Sequence, residues 1–154
     1  MTIQHYEPPV WVTFEYGDYA LILSGELDSV WAYMTYQDAI IADCLLVTTL
    51  PPIQADSMDM EYYEKNDAPP PLTSAYATPL AYREKPENAM FRVLWSPEGR
   101  EVLVALDNEV HAYINADEDL GYSKALEADG PYGQSWRDFP VEHINCPSTA
   151  VNYD

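Results

Sequence analysis

Between Met1 and Glu64 the chain has no lysine or arginine, while the same stretch carries eleven aspartates and glutamates. Over all 154 residues, seven basic side chains face twenty-six acidic ones, a formal charge of -19. This shortage of cations excludes a direct grip on nucleic acid, because neutralising backbone phosphates takes clustered lysine and arginine. Anionic membrane surfaces are excluded on the same ground. No stretch approaches the roughly 20 apolar residues of a membrane span. The start, Met1 to Pro8, shows neither the basic nor the apolar region of a secretory signal, so a cytoplasmic location is expected. Cysteine is scarce as well. Cys44 and Cys146 form no CxxC and read as free thiols, with Cys44 a small hydrophobe inside an apolar run.

Catalytic signatures are missing too. There is no GxGxxG or Walker loop for phosphates and no GxSxG elbow. Histidine occurs three times, as His5, His111 and His143. His111 falls in a strand-like run and reads as structural. His143 follows Glu142, which could orient it as a base, but no nucleophile is marked beside it. Asn115-Ala116-Asp117-Glu118-Asp119-Leu120-Gly121 resembles the start of a calcium loop. An EF-hand needs glycine at position 6 and glutamate at position 12, where this chain has Leu120 and Leu126. Two isolated cysteines and scattered histidines make no zinc set. The expectation is no enzyme, no metal and no cofactor.

What is present is a foldable chain. Hydrophobic residues make up 47%, which separates it from disordered acidic tails. Thirteen tyrosines and four tryptophans stand against three phenylalanines. Such rings fill strands, and they also serve as interface anchors with a polar tip.

Alternation predicts strands at Val10 to Tyr16 and Tyr19 to Leu23, joined by Gly17-Asp18 as a hairpin. Val30 to Tyr36 is again strand-like. Ala39 to Leu50 suits helix or strand by periodicity; its β-branched end favours strand, and Pro51-Pro52 stops it. Residues 51–89 form a proline-rich acidic loop or insertion, with one helical turn near Met58 to Glu64. Strands return at Met90 to Trp95, Glu101 to Leu106 and Glu109 to Asn115, a meander with short turns. After Asp119 the chain reads as loop, anchored on the sheet by Tyr122, Trp136 and Phe139. The expected fold is a mainly β or α+β single domain over residues 1–154, built on an antiparallel sheet of hairpins.

Leu94-Trp95-Ser96 with Gly99, Leu103 to Leu106, His111-Ala112 and Gly121-Tyr122-Ser123 resemble a family of small bacterial β-rich proteins without assigned chemistry. Trp31-Ala32-Tyr33 and Asp43 to Val47 are similar to that family's first half. The resemblance spans roughly residues 10–125 and implies no functional residue.

An acidic, aromatic-rich chain without catalytic machinery suits a binding protein for a basic target, since complementary fields speed encounter and reject wrong partners. Its character is similar to acidic immunity or antitoxin-like proteins. The expected partner is a cationic toxin, with a nuclease favoured because a phosphodiester cleft must be basic. A DNA-mimic inhibitor of a defence protein, or a generic acidic interaction module, would share the electrostatics. Two clusters qualify for the contact. Asp56, Asp59, Glu61 and Glu64 surround Tyr62 and Tyr63, and Asp117, Glu118 and Asp119 sit beside Tyr122. Acidic runs can also serve solubility alone.

Overall fold

Seven-residue alternation makes Val10–Tyr16 a strand, β1, and Gly17 at φ 60 lets it turn back into β2, Tyr19–Gly25. β3, Ser29–Tyr36, and β4, Ala39–Thr48, follow across Gln37-Asp38, where both residues hold positive φ, 49 and 68. The short helix α1 spans Met60–Lys65. A second meander then runs through β5, Phe91–Trp95; β6, Glu101–Leu106; β7, Glu109–Asn115; and β8, Leu120–Ser123. Asp107 and Asn108, at φ 51 and 71, form the same kind of hairpin turn between β6 and β7. Two-residue strands complete the chain: β9, Gln134–Ser135; β10, Cys146–Pro147; and β11, Ala150–Val151. The computed structural model describes residues 10–26, 28–52, 54, 60–66, 71–148 and 150–151.

The strands make two sheets, ordered β11-β1-β2-β3-β4 and β10-β5-β6-β7-β8-β9. Every pairing is antiparallel except β8 with β9. Period-two spacing sends Leu21 and Leu23, Ala32 and Met34, and Cys44 and Leu46 from the first sheet against Val93 and Trp95, Val102 and Val104, and Ala112 and Ile114 from the second. This is the main core. The expected mainly β fold is what the chain adopts, as two stacked meanders.

Both sheets are also covered from outside. Trp31 and Leu45 point away from the main core and meet Leu72, Ala81, Ala125, Leu126 and Tyr132. The proline-rich segment is therefore partly structural, since residues 71–83 lie over the first sheet. Arg83 N–H donates to Thr48 O at 2.8 Å, and Tyr132 Oη donates to Pro71 O at 2.8 Å. Burial on both faces explains why Cys44 to Val47 is a continuous apolar run rather than an alternating one. Leu103, Tyr113 and Tyr122 face the other way and are roofed by Ile144, Trp136 and Phe139. Trp136 and Phe139 anchor the C-terminal segment as their sequence position suggested.

One stretch departs from expectation. Leu120–Ser123 was expected as loop and is a strand, with Tyr122 opposite Tyr113. Four residues containing a glycine carry too little alternation to signal a strand. The glycine is there for packing: a Cβ on Gly121 would lie 2.5 Å from Asp43 O. Only a residue without that atom lets β4 cross β8 so closely.

Candidate functional site

Each sheet reverses direction at every turn, so alternate turns share an end of the sandwich. Gly17-Asp18, Gln37-Asp38, the Ser96–Arg100 turn and the Ala116–Asp119 turn meet at one end. Gln37 N–H donates to Asp18 O at 2.9 Å, joining the first two. Tyr16 Oη donates to Pro97 O at 3.0 Å, joining the sheets. Arg100 Nη1 reaches Asp117 Oδ1 at 3.2 Å, joining the last two.

These turns carry Asp18, Asp38, Glu98, Asp117, Glu118 and Asp119, all exposed, with Arg100 as their one cation. At the opposite end the balance differs. Asp107 is paired with Arg83 at 2.6 Å, and Glu109 and Lys124 line the same cleft. Arg83 and the Met90 N–H hold the Asp107 carboxyl below its usual range, the backbone bond most strongly. The four-turn end thus presents six exposed carboxylates against one arginine.

Between the turns lies an open groove of about 580 Å³, lined by Tyr16, Tyr19 and Tyr36 and rimmed by Asp18, Glu98 and Arg100. Tyr16 stacks on buried Trp95, 5.4 Å between ring centroids, which fixes the groove's floor to the core. Tyr36 remains 40% exposed. A second groove continues past Arg100 along Glu101, Asp117 and His143. There His143 Nε2 lies 2.6 Å from Glu101 Oε2, and the Tyr113 hydroxyl donates to Glu101 Oε1 at 2.6 Å. The carboxylate orienting His143 is therefore Glu101, across the fold, and not its neighbour Glu142. Burial, then the bond to Glu101, pushes the Tyr113 hydroxyl pKa up.

Of the residues expected at a binding site, Asp117, Glu118 and Asp119 are exposed in the last turn of this end. Asn115 Oδ1 accepts the Asp117 N–H at 2.8 Å and the Glu118 N–H at 3.3 Å, so the calcium-like spacing serves a local turn. Tyr122 is a correction. It is 3% exposed, packed on Phe139 and Tyr113, with the Arg137 guanidinium 5.3 Å over its ring, and it offers a partner no surface. Glu61, Tyr62 and Glu64 are exposed on α1. Asp56, Asp59 and the side chain of Tyr63 lie outside the described residues.

Asp18, Asp38, Glu98, Tyr16, Tyr19 and Tyr36 were not singled out by sequence reasoning. A signal existed: each acid sits in a hairpin turn, and in a meander every second turn falls on one end. His111 is structural in geometry. Its buried Nε2 donates to Leu46 O at 2.6 Å, and burial lowers its pKa.

Among the described residues no helix is long and apolar enough to cross a membrane. Set against protein-family models, curated proteins and solved structures, the chain matches none of them.

Proposed function

We propose that this chain is an acidic inhibitor of the immunity or antitoxin type, which binds a cationic toxin and occludes its active site. A nuclease is the favoured target, because the cleft that holds a phosphodiester is basic. One observation carries the reading: four hairpin turns from two sheets bring six exposed carboxylates to one end of the sandwich, two of them, Asp18 and Glu98, on the rim of a tyrosine-lined groove. Carboxylates there occupy the positions that phosphates take on the target. Rings on a rigid sandwich end supply grip at low entropic cost, since the groove is already built.

The test uses host extract passed over the immobilised chain, with retained proteins assayed for cleavage of plasmid DNA and RNA. The expected result is a retained basic nuclease that stoichiometric chain inhibits. In the variant Asp18→Asn/Asp38→Asn/Glu98→Gln/Asp117→Asn, association slows by about tenfold or more at low salt, because steering contributes about 10–10³ to on-rates. Retention of the same partner at an unchanged rate by the folded variant would refute the site. A retained partner that is acidic, or whose activity the chain leaves untouched, would refute the function.

A further inference from the structure

We infer that the groove between Tyr16, Tyr19 and Tyr36 seats an arginine side chain of the partner, a step that rests on the reading above. The Tyr19 and Tyr36 rings lie 4.9 Å apart between centroids with planes tilted by 48°. Packed against each other, they make one aromatic side of a niche whose rim carries Asp18 and Glu98. Among the described residues no ion pair engages either carboxylate. Arg100 lines the same niche, but its guanidinium is taken up by Asp117 at 3.2 Å.

An aliphatic side chain entering here would dehydrate two carboxylates without compensation, and an acidic one would be repelled. Between the two cations, the chemistry selects arginine. A guanidinium is planar and weakly hydrated, so it lies against a ring while its N–H fork reaches carboxylates. An ammonium is a compact, strongly hydrated charge that uses the ring face less well.

The chain shows the same combination within itself. Arg137 holds its Cζ 5.3 Å from the Tyr122 ring centroid while its Nη2 reaches Asp129 Oδ2 at 2.7 Å. The niche at the four-turn end offers the same two kinds of group, tyrosine rings and carboxylates, with the arginine still to come.

Calorimetric titration of the full chain with hexa-arginine and hexa-lysine peptides at low salt tests this. Hexa-arginine is expected to bind about two- to fivefold more tightly, the size of an exposed cation–π contact. Tyr36→Ala removes that preference and Tyr36→Phe retains it, with circular dichroism confirming the fold of each. Equal affinity for the two peptides, or a preference that survives Tyr36→Ala, overturns the arginine seat. If the seat fails in this way while the four-carboxylate variant loses both peptides, the docking end stands without it. If that variant binds both peptides as the parent does, seat and docking end fall together.

Discussion

Replacing Gly121 by alanine tests how the two sheets are held against each other, and with that the position of the acidic turn just before β8. An ideal Cβ at residue 121 would stand 2.5 Å from Asp43 O, 2.9 Å from Asp43 C and 2.9 Å from Cys44 Cβ, against 3.4–4 Å for ordinary contact. Two of those three atoms are backbone, so no rotamer change relieves the clash; β4 itself must retreat. Forcing a methyl into a packed site costs about 1–3 kcal/mol. Alanine also stiffens the unfolded chain, which offsets about 0.4–1 kcal/mol of that cost. The net expectation is a loss of about 1–2 kcal/mol, a fall in Tm of roughly 2–8 °C for a domain of this size. Urea unfolding followed by tryptophan fluorescence, with an unchanged m value, isolates the effect as stability. A midpoint equal to or above that of the parent chain would refute the close crossing of β4 and β8.

Three further outcomes follow from the geometry. Because burial lowers the His111 pKa, the unfolded chain binds its proton more readily. That contribution to stability is complete above the unfolded value of about 6.5 and is lost as pH falls from there towards the folded pKa. His111→Gln, which keeps an N–H for Leu46 O, should flatten the urea midpoint between pH 8 and 5 relative to the parent; identical slopes would refute the assignment. Raising ionic strength from about 0.01 to 0.15 M shortens the screening length from about 30 to 8 Å, so Tm should rise, and by less in the variant neutralised at Asp18, Asp38, Glu98 and Asp117. An equal rise in both would mean that these four carboxylates add nothing to the repulsion. Truncation after Asn145 removes β10 and β11, together with the 3.0 Å bond from Trp95 Nε1 to Ser148 Oγ. It uncovers β5 and β1 as sheet edges, and light scattering should show larger, concentration-dependent species; a truncated chain of the same size as the full one would contradict this.

How much of this could be read beforehand differs from element to element. β1 to β3 and β5 to β7 were legible because alternation and turn residues are local properties. β4 was legible as strand only through its β-branched end; its apolar run from Cys44 to Val47 reflects cover from residues 72, 81 and 132, which no window around residue 45 contains. β8 escaped because its four residues answer to Asp43 and Tyr113 rather than to their own pattern. At the candidate site Asp117, Glu118 and Asp119 were legible as an acidic run. Asp18, Asp38 and Glu98 are single acids in separate turns, and nothing local marks them as neighbours.

The sequence alone determined that the chain is strand-rich, strongly acidic and short of cations, since composition and period-two spacing need no third dimension. Tertiary structure decided which acids share an end and which tyrosines face outward. Tyr36 and Tyr122 have the same side chain, and one lines an open groove while the other is sealed under Phe139. Burial depends on what the rest of the chain lays over a residue, and that is set by contacts between residues distant in sequence.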